Sequence, residues 1–146
     1  MFAGRRLDQS PVFEEVLAQS EPEGRFLILR SPGLVQGIAA GDLIMVESEG
    51  RFRVLHRGQN LCIQVFFPED TSGVFEIIEA AREIGCALDG EAPQLLVFTI
   101  QVSVGFSTVQ RVFNELAQMV PGLEWYYGNV YDALDGVTPL NWWVSE

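Results

Sequence analysis

Lysine is absent from this chain, histidine occurs once (His56) and cysteine twice (Cys62 and Cys86). A protein that grips nucleic acid needs clustered cations to displace the counterions of phosphates. Nine arginines against twenty acids leave a net charge of -11, which argues against nucleic acid and against an anionic membrane surface. No uncharged apolar run approaches the ~18 residues that read as a membrane span. The opening MFAGRRLDQSPVFEE carries two arginines with no apolar segment behind them, so it is no secretory signal and a cytoplasmic protein is expected. A nucleophile–base pair built on histidine would have to use His56, which lies among Arg53, Arg57 and the alternating apolar residues of an expected strand. The spacing of the two cysteines fits no zinc pattern. They read as buried thiols, with a disulfide between them left open. No metal and no cofactor is expected.

What remains is an ordinary globular chain of 146 residues, 48% apolar, able to form one domain or two small subdomains without a staple. Its charge is divided unevenly. Residues 1–58 hold eight acids and seven arginines, whereas residues 59–146 hold twelve acids and two arginines. Such a division favours attraction to a basic protein surface.

Residues 1–11 read as a flexible tail. Residues 12–19 are open between helix and strand, with a hairpin to Arg25–Arg30 across Glu21-Pro22-Glu23-Gly24 preferred. Glycines recur through 33–41, as bends and bulges require. Leu43–Glu47 and Arg51–Arg57 form a second hairpin over Ser48-Glu49-Gly50. In the second half, Asn60–Phe67 alternates with Leu61, Ile63, Val65 and Phe67 on one face. Gly73–Gly85 follows as a helix with the stripe Val74, Ile77, Ile78, Ala81 and Ile84. Cys86–Leu88 is a short strand, Asp89–Pro93 a turn, and Gln94–Val104 a second clear strand. A helix capped by Ser107 or Thr108 runs to about Val120, and Leu123–Asn129 closes the series. The predicted class is α+β: a small curved antiparallel front over about 12–58, joined to a ferredoxin-like β-α-β-β-α-β unit over about 59–129. An aromatic cover completes a second subdomain, 59–146, and the two parts are expected to share one core.

The run Gly37-Ile38-Ala39-Ala40-Gly41-Asp42-Leu43-Ile44, a hairpin, and then Gly58 ahead of a strand resembles a family of small bacterial proteins of unknown function. The resemblance covers most of 12–130 and implies the same joining of a β-rich front to a ferredoxin-like back. It implies no activity. Where the family often has serine, threonine or arginine at the start of the strand after the glycine, this chain has Gln59-Asn60-Leu61-Cys62-Ile63-Gln64, so no shared ligand site is implied there.

Three further segments bear on chemistry. Gly105–Arg111 is a strand-to-helix turn with hydroxyls, which reads as capping more simply than as an anion site. Asp132 and Asp135 before Gly136 read as Asx turns, since the remaining ligands of a calcium loop are missing. Trp125, Tyr126, Tyr127, Tyr131, Trp142 and Trp143 make a dense aromatic cluster, half of which core packing explains. On the predicted helix Glu76, Glu79 and Glu83 share one face, with Glu69 and Asp70 on the turn before it. The expectation is a non-enzymatic acidic binding protein of the immunity type, capturing a basic partner such as a toxin. Glu69, Asp70, Glu76, Glu79 and Glu83 would form its rim, and Tyr126, Trp142 and Trp143 its anchors. The alternatives are a dimeric regulatory domain that binds a small molecule and, less favoured, a minor enzyme using His56. A monomer and a homodimer are both compatible with the sequence.

Overall fold

A computed structural model describes residues 1–144. The elements are β1 (Phe2–Arg5), β2 (Pro11–Phe13), β3 (Ala18–Glu21), β4 (Arg25–Ile28), β5 (Leu43–Val46), β6 (Phe52–His56), β7 (Asn60–Phe66), α1 (Val74–Glu83), β8 (Ala87–Ala92), β9 (Leu95–Gln101), α2 (Phe106–Met119) and β10 (Glu124–Tyr127). The class is α+β.

The back unit follows from its two strongest alternating segments. β7 and β9 pair antiparallel along their whole length, Asn60 opposite Gln101 to Phe66 opposite Leu95. β10 adds to the outside of β7 and β8 to the outside of β9, giving the order β10-β7-β9-β8. That order, with a helix after the first and third of these strands in sequence, is the split βαβ arrangement of ferredoxin-like sheets. Leu61, Ile63 and Val65 of β7 and Leu96, Phe98 and Ile100 of β9 meet the apolar stripes of α1 (Ile77, Ala81) and α2 (Val109, Val112, Phe113, Leu116) in one buried cluster. Burying a side chain such as Phe98 contributes about 1.5–3 kcal/mol.

The front is a four-stranded sheet in the order β3-β4-β5-β6. Its tight turns at Pro22–Gly24 and Ser48–Gly50 place Glu23 and Glu49 in the left-handed region (φ 66° and 61°). Ile28, Val35, Ile38 and Ile44 form its own core. The single shared core expected from sequence is thus divided: a small third cluster of Ala39, Cys62 and Val97 bridges the two.

Four local readings are corrected. Residues 2–5 are β1, paired with Pro11–Phe13, so the segment expected as a tail is part of a two-stranded ribbon. The amino terminus donates to the Glu14 carbonyl at 2.6 Å. The hairpin partner of β4 is Ala18–Glu21, later than expected. Asp89–Ala92, read as turn, belongs to β8, because pairing with β9 and a bulge between Leu88 and Gly90 carry the strand through its polar residues. Finally, α2 begins two or three residues early, at Phe106 after Gly105, and neither Ser107 nor Thr108 caps it.

The connection from 31 to 42 positions the site, and polar bonds fix its path. The Glu14 carboxylate accepts the N–H groups of Gly33, Leu34 and Val35 at 2.8, 2.9 and 2.8 Å. Ser31 Oγ lies 2.6 Å from Thr99 Oγ1, which donates to Asp89. At the far end Asp42, 1% exposed, accepts from Ala39 N–H, Gly58 N–H and Arg57. Gly58 sits so close to Gly41 that an added Cβ would lie 2.5 Å from the Gly41 carbonyl carbon. The glycines and aspartate of the family-like run therefore act in backbone packing.

Candidate functional site

The strand β10 is an edge of the back sheet, and a hollow of about 680 Å³ lies along it. This volume falls within the ~300–1,000 Å³ of small-molecule sites. Gly128 N–H donates to the Cys62 carbonyl at 2.8 Å, so by alternation the even residues of β10 bond to β7. The main-chain polar groups of Trp125 and Tyr127 consequently point to the open edge.

Side chains line the hollow from both faces of the sheet. On the helix face Trp125 packs against Phe113, with ring centroids 5.5 Å apart, and its indole N–H donates to Asn114 Oδ1 at 3.0 Å. Because an indole N–H is a donor only, the Asn114 carbonyl is turned inward and its NH₂ outward. Tyr127 stands beside Trp125, edge to face at 5.0 Å. Its hydroxyl is covered and makes no well-formed hydrogen bond, with the Gln110 side chain in reach, and burial pushes the phenol up to about 12. The Gln110 amide and Tyr131 are its polar neighbours.

On the opposite face lies Gln64, 2% exposed although it sits mid-strand. Its NH₂ donates to the Pro32 carbonyl at 3.1 Å, and its carbonyl accepts from Gln36 Nε2 at 3.0 Å. This chain of bonds leaves the Gln36 carbonyl oxygen facing away from Gln64. Gly128 permits the close approach: a Cβ there would lie 2.6 Å from Cys62 Sγ and 3.1 Å from Gln64 Nε2. Phe66 and Tyr126 meet edge to face at 6.0 Å on the same side. The 131–136 segment supplies the outer wall. Asp132 accepts from Leu134 N–H at 2.8 Å and Asp135 from Val137 and Thr138 N–H, both at 2.9 Å, so the expected Asx turns are present.

Of the residues expected to form a capture surface, the acids lie on α1 and the turn before it, and the aromatic anchors lie elsewhere. Glu69, Asp70, Glu76 and Glu83 are exposed around α1, and Glu79 pairs with Arg82 at 3.3 Å. Tyr126 is 51% exposed but projects from the sheet face opposite the helices. Trp142 and Trp143 are half-buried against the main core. The Trp142 indole donates to the Asn129 carbonyl at 2.7 Å and lies under Arg57 at 5.5 Å. The two tryptophans are packing residues, and of the three expected anchors Tyr126 alone stays half-exposed, with its hydroxyl donating to Glu124 Oε2 at 3.0 Å. His56 is exposed on β6. Cys62 and Cys86 are unpaired and buried, which pushes both thiols up to about 12 and keeps them protonated at neutral pH. Among the described residues no group of three or more His, Cys, Asp or Glu side chains could hold a metal, and no helix is long and apolar enough to cross a membrane.

Sequence reading found Trp125, Tyr126, Tyr127, Tyr131 and Asp132 as notable residues but missed Gln36, Gln64, Gln110 and Asn114. The one signal available was the even face of β7, Asn60, Cys62 and Gln64, which is polar or small yet carries no charge.

Comparison with known proteins agrees with this architecture. A solved structure of a hypothetical protein from Neisseria gonorrhoeae superimposes with a TM-score of 0.68 at 16% identity, over 85% of this chain and 88% of that one. At that identity the likeness concerns the fold. No curated protein matches the chain. The family described as a domain of unknown function, DUF4265, matches residues 14–121. That span runs from the glutamate that anchors the 33–35 turn to the end of α2, and the chain accordingly belongs to the DUF4265 family.

Proposed function

We propose that this protein is a non-enzymatic binding module that holds an uncharged small molecule in the groove along β10. The observation that carries the reading is the pairing of aromatic walls with four carboxamide side chains around one hollow of about 680 Å³. Small-molecule sites combine apolar walls with a few polar groups held in place, and here two of the amides are held by Pro32 and Trp125. Nothing in the groove resembles an activated nucleophile or a base with a partner.

The test is a fragment screen on the ¹⁵N-labelled chain. Uncharged fragments are expected to shift the Trp125 indole and the Asn114, Gln110 and Gln36 side-chain signals together, and Asn114→Ala is expected to weaken them. Fragments that bind only elsewhere would remove the proposal.

A second reading is capture of a basic protein, such as a toxin, by the acidic surface around α1. It is supported by the exposure of Glu69, Asp70, Glu76 and Glu83 and by the single ion pair on that helix among the described residues. Its surface is the helix face, without the tryptophan anchors. A pull-down at low salt and again near 0.5 M, where screening shortens to a few Å, tests it. Binding indifferent to salt and to Glu76→Arg would end it.

A further inference from the structure

We infer that the ligand of the β10 groove is a neutral saccharide, an inference that rests on the groove being the ligand site proposed above. Charge makes the first selection. Among the described residues no arginine or histidine lines the hollow, and Asp132 is its one acidic residue. A phosphate or carboxylate placed there would lose its water without gaining a counter-charge.

The polar groups make the second. The Asn114 NH₂ is fixed as a donor by the Trp125 indole, and the Gln36 carbonyl is left as an acceptor by the Gln64–Pro32 bond. The Tyr127 hydroxyl is buried with no well-formed hydrogen bond and the Gln110 side chain in reach, an arrangement that native folds seldom keep unless something completes it. A ligand would complete it directly or by turning the Gln110 amide beside it. Fixed donors and fixed acceptors around one hollow match hydroxyl groups, each of which both donates and accepts.

The rings make the third. Phe66 and Tyr126 meet at 62° and Trp125 and Tyr127 at 80°, so neither pair forms a parallel clamp for a flat heterocycle. The half-exposed Tyr126, its hydroxyl held by Glu124, instead offers one exposed ring, which suits the C–H face of a pyranose.

The ¹⁵N-labelled chain would be titrated with glucose, cellobiose, N-acetylglucosamine, adenosine and glucose phosphate. At least one neutral sugar is expected to shift the Trp125, Asn114 and Gln110 side-chain signals. Glucose phosphate should bind at least about tenfold more weakly than that sugar, the size of one lost good interaction. Tyr127→Phe should cut the sugar's affinity about tenfold while its melting temperature stays level or rises, which a purely structural tyrosine would not do. Adenosine shifting these signals in place of the sugars overturns the saccharide and leaves the groove standing. So does a silent sugar panel alongside fragments that do bind there. Silence from sugars and fragments alike overturns both.

Discussion

Replacing Asp42 by alanine is expected to cost about 3–5 kcal/mol, the usual price of breaking a buried charge pair from one side. The carboxylate is 1% exposed and holds three donors: Gly58 N–H at 2.9 Å, Ala39 N–H at 3.0 Å and Arg57 at 3.3 Å. Alanine leaves two main-chain N–H groups without acceptors, each costing about 1–3 kcal/mol, and takes the counter-charge from a largely covered guanidinium that keeps the Gly37 carbonyl at 2.7 Å. For a chain of this length about 2–4 °C of melting temperature accompanies each kcal/mol, so a fall of roughly 6–20 °C is expected by calorimetry. The pH dependence adds a second, independent check. Burial raises Asp42 above its ordinary value of 3.8, outweighing Gly58, Ala39 and Arg57, and burial lowers Arg57 as well. Both partners thus indicate that desolvation exceeds their mutual attraction. A raised carboxyl means that the folded chain binds the proton more tightly than the unfolded one. The stabilisation this gives is complete below the unfolded value and is lost as pH rises through the folded one. The non-titrating Asp42→Asn lacks it, so the advantage of the native chain over Asp42→Asn should narrow as pH climbs from just below 3.8. An advantage that widens over that interval, or an Asp42→Ala loss under about 1 kcal/mol, would refute the account.

Three more outcomes follow from the same coordinates. Gly58→Ala puts a Cβ 2.5 Å from the Gly41 carbonyl carbon, where the neighbour is backbone and cannot turn aside; a loss of about 1–3 kcal/mol in urea denaturation is expected, and an unchanged midpoint would contradict the close approach. Glu14→Ala frees the N–H groups of Gly33, Leu34 and Val35 together; a loss of about 2–4 kcal/mol is expected, with faster hydrogen exchange confined at first to those amides. Cys62 and Cys86 should resist a thiol reagent at neutral pH and react only when the chain is unfolded in urea, because burial holds both near 12; rapid labelling of the native chain would show that one of them is accessible.

The strand and helix order of the back half was legible because each element there carries its own period: Leu61, Ile63 and Val65 at two, and Val109, Val112, Phe113 and Leu116 at helical spacing. Asp89-Gly90-Glu91 was misread for the converse reason, since β8 owes its polar half to pairing with β9 and has no pattern of its own. The groove was hidden by the reading that served the fold. Alternation assigns the odd residues of β7 to the core and the even ones to water. Yet the 31–42 segment crosses that second face and buries Gln64 against Pro32, thirty-two positions away in sequence. No local signal encodes a contact at that separation. The absence of any ionised residue at positions 60, 62 and 64 was the trace it left, because a strand face meant for water has no reason to avoid charge. The same logic bears on the family. The matched residues 14–121 contain Gln36, Gln64, Gln110 and Asn114, whereas Trp125, Tyr126, Tyr127 and Tyr131 lie beyond them. The four amides and Phe66 thus lie within the matched span, and the other aromatic lining residues in the segment that follows it. On the proposed ligand-binding reading, substitutions at Tyr126 or Tyr131 should change which ligand is held more than whether the hollow forms, while Gln64→Ala should disturb the hollow itself by removing the amide that bonds both the Pro32 carbonyl and Gln36.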